Sequence, residues 1–231
     1  MSVTTVVILI LILLLTIWII RTCEKHNAAD WGGRWWNRLD GLNRLFCRYV
    51  HRLQADDIDL PANGGALLVS NHISGLDPLL IIASCKRPIR FLIAREEYER
   101  FGLQWLFKGI GCIPVDRRGR PELALRAAIR ALHDGEVVAL FPHGGIHLPH
   151  HPPKKLKAGV TRMAGLTEAL VYPVRVEGVR GMGHTVLAVF MPSRARLFSH
   201  APIECHGVET DECLQKIEDI IVNYSEAHTA R

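Results

Sequence analysis

None of the six cysteines, Cys23, Cys47, Cys85, Cys112, Cys205 and Cys213, stands in a C-x-x-C pair. Several lie in apolar runs, where a free thiol behaves as a small hydrophobe, so the set reads as reduced and suggests that the folded domain is cytoplasmic. Zinc-finger spacing and an RNP-type aromatic motif are also missing, and the basic residues are spread along the chain. The net charge of +5 therefore points away from nucleic acid and toward an anionic membrane surface, a phosphorylated substrate or an acidic carrier protein. There is no internal repeat and no low-complexity segment. What is present is 231 residues, 48% hydrophobic and 22% charged, enough for one sizeable folded domain plus an appendage.

Charge, glycine and proline are absent from Val3 to Ile20, VTTVVILILILLLTIWII. As a helix, about 18 residues rise roughly 27 Å, near the thickness of a bilayer's hydrocarbon core. A cleaved signal peptide is the competing reading. No Lys or Arg precedes the run and no A-x-A-like site follows, so residues 1–25 are expected to be an uncleaved anchor. Arg21 and Lys25 come directly after it, which puts the C-terminal side in the cytoplasm by the positive-inside rule. From Trp31 to Leu53, apolar residues recur at Trp35, Leu39, Leu42, Phe46, Tyr49 and Leu53, with Arg34, Arg38, Arg44, Arg48 and Arg52 largely on other faces. That pattern fits a helix in the membrane interface, a helix packed on its own domain, or both; residues 26–56 are expected to form it.

Beyond Pro61, in residues 57–231, short apolar runs alternate with helical stretches. Strands are expected at Ala66–Val69, Arg90–Ala94, Gly111–Val115, Val137–Phe141, Leu170–Val176 and Thr185–Phe190. Helices are expected at Leu79–Ala83, Pro121–His133, Gly159–Ala169 and Asp211–Tyr224, the last with Leu214, Ile217, Ile221 and Tyr224 inward. In the second of these, Pro121 and Glu122 mark the start and Gly135 the end, with Leu125, Ile129 and Leu132 on one side. The alternation predicts an α/β fold, a mixed, largely parallel sheet flanked by helices. Active groups in such folds collect beyond the carboxyl ends of strands. Three polar loops fall there: Asn71–Asp77, Asp116–Arg120 and Pro142–Gly159.

In the first loop, His72 and Asp77 are spaced so that a carboxylate can meet one imidazole nitrogen and leave the other free to accept a proton. The same carboxylate, followed by Pro78, also has the look of a helix N-cap, and the two roles are compatible.

Asn71-His72 with Asp77 resembles the first block of the glycerolipid (lysophosphatidic acid) acyltransferase family. Gly111-Cys-Ile-Pro-Val-Asp116-Arg117 is similar to its second block, Phe141-Pro142-His143-Gly144 to its third, and Val171-Tyr172-Pro173-Val174 to its fourth. Lys157-Ala-Gly159 sits where the family carries a Lys and a Gly. Four blocks in order across about residues 45–195 make a chance match improbable. The resemblance implies that His72 is a general base and Asp77 its partner, and that Arg117 contacts the acceptor's phosphate. It implies acyl-CoA or acyl carrier protein as co-substrate, a lipid acceptor in the membrane, and no bound cofactor or metal. Asn71, Asp116, His143, Gly144, Gly145, Lys157 and Pro173 complete the expected substrate-binding set, with Gly144 and Gly145 offering backbone N–H groups to a phosphate or an oxyanion.

The third block departs from the family's Phe-Pro-Glu-Gly-Thr-Arg: His143 replaces the acid and Ile146 the base. The expectation is an altered acceptor, or a loop in which His143 keeps a hydrogen-bonding role and Lys154, Lys155 or Lys157 supplies the charge. Two rival classes go with this loop. One is a metal-dependent hydrolase using His143, His147, His150 and His151, disfavoured because H-E-x-x-H and nearby carboxylates are missing. The other is a non-catalytic membrane module that binds lipid or an acyl carrier.

Overall fold

The computed structural model describes residues 2–223. Two helices, α1 (Val3–His26) and α2 (Arg34–Tyr49), precede the sheet. Then follow β1 (Gln54–Ala55), β2 (Ala66–Ser70), α3 (Asp77–Ser84), β3 (Ile89–Ala94), α4 (Arg95–Tyr98), α5 (Gln104–Gly109) and β4 (Ile113–Val115). The second half comprises α6 (Pro121–His133), β5 (Val137–Leu140), α7 (Gly159–Thr167), β6 (Val171–Glu177), α8 (Leu187–Phe190), β7 (Arg196–Ser199) and α9 (Thr210–Ile221). The strands lie in the order β1-β7-β6-β2-β5-β3-β4. Every neighbouring pair is parallel except β6 and β7. This is the mixed, largely parallel sheet expected from the sequence.

The two-residue period of the strands divides the core into two layers. Ala66 and Leu68 of β2, Val137 and Ala139 of β5, and Tyr172 and Val174 of β6 face the cluster under α2 and α3. Leu67, Val69, Val138, Leu140 and Val171 face the other side, under α6, α7 and α9. β2 is buried along its whole length, as a central strand covered on both faces must be. The capping residues set α6 where expected, but its inward stripe is Ala124, Ala128, Ala131 and Leu132. Leu125 and Ile129 lie only partly buried beside it. Small residues there let the helix sit close to the sheet.

α1 buries only Cys23, and its length and composition suit a membrane crossing. The hydroxyls of Thr16 and Thr22 donate to Ile12 and Trp18 carbonyls one turn back, so neither needs water. α2 crosses α1 at Gly41, where a Cβ would lie 1.8 Å from the Cys23 carbonyl oxygen; only glycine fits.

The inner face of α2 differs from an ordinary core helix. Asp40 and Cys47 are buried, and the Arg44 guanidinium bridges from Asp40 (2.7 Å) to the carbonyls of Ile82, Ala83 and Cys85 at the C-terminal end of α3. Asn43 donates to the Leu79 carbonyl. Arg44 thus satisfies carbonyls that α3 cannot satisfy itself, at the negative end of its dipole. Trp35, Leu42 and Tyr49 remain exposed on the outer face.

Two expectations need correction. Thr185–Phe190 is not a strand; its apolar run folds as the short helix α8, and the place beside β6 in the sheet is taken by β7. The cysteines are not all reduced: Cys205 and Cys213 form a disulfide with Cα atoms 5.6 Å apart, since the turn before α9 brings Cys205 over the inward face of that helix's first turn. The other four are free and buried, and burial pushes the thiols of Cys47, Cys85 and Cys112 up to about 12. Finally, α9 buries Cys213, Ile217 and Ile221, with Leu214 partly buried, whereas Tyr224 falls outside the described residues.

Candidate active site

Asp77 heads α3 but does not cap it. Its carboxylate turns back over the preceding loop and is fully buried. Oδ2 accepts the Ile73 and Ser74 amides at 2.7 and 2.9 Å and faces His72 Nδ1 at 2.9 Å. Oδ1 accepts the Ser74 hydroxyl at 2.8 Å. An ionised carboxylate only accepts, so His72 Nδ1 carries the proton and Nε2 presents its lone pair. The His72 ring lies flat on Phe141, centroids 4.0 Å apart, and its carbonyl accepts the His147 amide at 2.8 Å. Both ring position and tautomer are therefore fixed before any substrate binds.

Around this pair, the third loop brings in His143, Gly144, His147 and Lys157. His143 is only 3% exposed and stacks on His147, centroids 4.5 Å apart. Its Nδ1 is buried with no hydrogen-bond partner among the described residues. Burial, then the charges of His147, Lys154 and His72, push its pKa down to about 4, so it is a neutral group at physiological pH. Gly144 adopts φ +73° with Lys157 Nζ over its Cα, and its N–H is spent on the Phe141 carbonyl. Of the two glycines, Gly145 alone keeps an unpartnered N–H among the described residues. Lys157 is lowered by burial first, then by the nearby charges of Arg117 and Lys154. Lys154 and Lys157 belong to the third loop, which has no carboxylate, and Arg117 approaches Lys157 from the second.

Other expected residues lie apart from the imidazole or spend their polar groups on structure. The Asn71 side chain exchanges two 2.8 Å bonds with the backbone of Val176, fastening the loop to β6. Asp116 accepts the Gly119 and Arg118 amides of its own turn and the Arg95 guanidinium, contacts that lower its pKa. Pro173 is buried within the sheet, in register with Val69. The rings of the histidine tract pack edge to face, His147 with His151 and His150 with His151, and there is no metal-holding group of three among the described residues. Ser74 and Phe141 were not singled out as site groups from the sequence. Ser74 sits three residues before the acid, the only signal that it would bind that carboxylate. A cleft of about 1050 Å³ is lined by Arg44, Arg48, Asp56 and Arg196 among others and contains none of the site residues.

The family model described as Acyltransferase matches residues 52–177, more than half of the chain and including all of these loops. The chain belongs to the acyltransferase family. It is similar to the 1-acyl-sn-glycerol-3-phosphate acyltransferase of Bacillus subtilis (strain 168), 24% identical over 170 residues, covering 70% of this chain and 84% of that one. A probable enzyme of the same name from Mycoplasma genitalium is 25% identical over 180 residues, covering 75% and 63%. The crystal structure of the 1-acyl-sn-glycerophosphate (LPA) acyltransferase PlsC from Thermotoga maritima superposes with a TM-score of 0.67 at 21% identity, over 87% of this chain and 84% of that one, and so shares its fold. The four motifs from Asn71 to Val174 all lie within the matched span of this acyltransferase, with His143 and Ile146 in the third.

Proposed function

We propose that this acyltransferase moves an acyl chain from an acyl thioester to the hydroxyl of a lysophospholipid-type acceptor such as 1-acylglycerol-3-phosphate. His72 is the general base and Asp77 its partner. The observation that carries this reading is the 2.9 Å contact between His72 Nδ1 and an Asp77 carboxylate already held by three other donors.

The acceptor hydroxyl gives its proton to His72 Nε2 as its oxygen attacks the thioester carbonyl carbon. The buried carboxylate stabilises the imidazolium, and the Gly145 N–H faces the developing oxyanion. The tetrahedral intermediate then expels the thiolate, which recovers the proton, leaving an ester and a free thiol. Arg117, Lys154 and Lys157 hold the acceptor's phosphate, the two lysines replacing the cation absent at Ile146. Acyl-CoA or acyl carrier protein is the donor and the only co-substrate this route requires. α1 anchors the enzyme, and Arg21 and Lys25 place the domain on the cytoplasmic side. With Cys205 and Cys213 joined, that orientation rests on the two cations rather than on cysteine chemistry.

The test is thioester consumption by isolated membranes, offered a panel of lyso-acceptors with both donor types. Wild-type membranes release free thiol with at least one acceptor, and His72→Ala membranes do not. Equal release by the two with every acceptor sinks the proposal and favours a non-catalytic module. Lysophosphatidic acid ranking below acceptors without phosphate removes the assigned role of the three cations.

A further inference from the structure

We propose that the segment between β6 and β7, with α8 at its tip, is a second lipid-facing contact that seats the mouth of the active site on the membrane leaflet. The inference rests on the membrane-bound acyltransferase reading above and adds to it the part of the surface that meets lipid beside the reacting groups.

The composition of this segment is the first argument. Residues 178–194 read GVRGMGHTVLAVFMPSR, apolar and basic with no carboxylate. α8 buries Ala188 alone and leaves Leu187 54% and Phe190 72% exposed, with Met182 and Val186 also exposed. Large apolar groups beside Arg180 and Arg194, with no acid, suit an anionic lipid surface better than water or an acid-bearing protein partner.

Its attachments are the second. On one side the segment is clamped to the catalytic loop: Gly183 N–H donates to the Ile73 carbonyl at 2.8 Å, and Gly75 N–H to the His184 carbonyl at 3.1 Å. A Cβ at Gly75 would lie 1.8 Å from the Thr185 carbonyl oxygen, so the two backbones touch between His72 and Asp77. On the other side, His51 Nε2 donates to the Val189 carbonyl at 3.0 Å and the His51 carbonyl accepts the Ala195 amide, tying α8 to the end of α2. The exposed Trp35, Leu42 and Tyr49 of α2 are spaced by seven and lie on one stripe. Large apolar groups are thus exposed on α1, α2 and α8, and the residues on either side of α8's start and middle are bonded to the catalytic loop and to the end of α2. An exposed apolar helix of membrane-spanning length on the same chain selects the bilayer as occupant. An acceptor could keep its acyl chain in the leaflet while its hydroxyl reached His72.

The test uses the full chain in vesicles of phosphatidylcholine and phosphatidylglycerol. Spin labels are attached at Leu187→Cys and Phe190→Cys, with Gln215→Cys on the exposed face of α9 as the aqueous reference; the native free cysteines are buried and label poorly. Labels at 187 and 190 are expected to collide with dissolved oxygen and to be shielded from a water-soluble nickel chelate. Chelate accessibility equal to that at 215 overturns the proposal. The double variant Leu187→Ser/Phe190→Ser is expected to lose about tenfold or more of its rate on a vesicle-embedded acceptor and to keep its rate on a short-chain, water-soluble one. Equal losses on both overturn it, because the segment then serves the site and not the surface. If wild type turns over no acceptor at all, the acyl-transfer reading fails while the label positions still decide the lipid contact.

Discussion

Replacing Asp77 by Asn removes one charge and little volume at the most constrained point of the molecule. The amide oxygen can occupy the place of Oδ2 and still accept the Ile73 and Ser74 amides, now 2.7 and 2.9 Å away. The amide nitrogen then faces the Ser74 hydroxyl, which turns from donor to acceptor. Charge-assisted bonds become neutral ones, at a cost on the order of 2 kcal/mol of stability. The larger loss falls on the reaction. His72 Nδ1 keeps an acceptor, but the imidazolium formed in the transition state has no anion beside it. General-base assistance is worth roughly 10²–10⁴ in rate, or about 3–5 kcal/mol of barrier. Asp77→Asn is expected to lose most of that, and the double variant with His72→Ala to be no slower than His72→Ala alone. Thiol release is followed with a thiol-reactive chromophore at saturating donor and acceptor, with thermal melts taken on the same preparations. An Asp77→Asn enzyme that keeps half its rate, or loses rate only in step with its folded fraction, refutes the dyad.

Further outcomes follow from other parts of the structure. His143 has its pKa pushed down to about 4, below the ordinary value of 6.5, so between those values the unfolded chain binds a proton that the folded one refuses. Stability should fall by on the order of 2–3 kcal/mol as pH drops from about 6.5 to 4 and should be independent of this group above that window. Melts of wild type against His143→Gln isolate the contribution, and equal slopes count against it. Arg44→Ala leaves Asp40 buried without its cation and the α3 carbonyls unsatisfied, so denaturant melts in detergent should show a loss of about 3–5 kcal/mol. Leu42→Ser, on the exposed face, should move the same midpoint by less than about 0.5 kcal/mol. Breaking the Cys205–Cys213 link with paired serines opens a short loop, for a stability loss of about 2–3 kcal/mol and unchanged acyl transfer. Alkylation of the unfolded protein followed by mass measurement checks that the link was there.

Much of the fold was legible because local signals and burial agreed. Pro121 and Gly135 bracket α6, and the apolar run at Ala66–Val69, read as a buried strand, is the central strand β2. His72 and Asp77 were legible as a pair, and family resemblance supplied the role proposed for them, but spacing could not say which way the carboxylate turned. It faces backward because Ile73 and Ser74 offer their amides there. In α2 the period was right and the facing incomplete: Asp40, Asn43 and Arg44 go inward because α3 ends in carbonyls that need donors. No property of α2 alone carries that information. Residues 185–190 misled because a short apolar run is equally compatible with strand and helix until its neighbours are known. The disulfide was invisible for a similar reason, its two cysteines meeting only once the turn at 206–208 is made.

Arg44 and Asp77 sit at opposite ends of one helix. α3 is eight residues long, about 12 Å of hydrogen-bonded backbone, with α2 gripping its last carbonyls and the Asp77 carboxylate at its first turn. A strut of that kind does not flex as a tether does. On the acyl-transfer reading proposed above, it ties the height of the imidazole above the lipid surface to the dimensions of a helix, and a hydroxyl displaced by a few ångströms along the bilayer normal would be out of reach regardless of its chemistry.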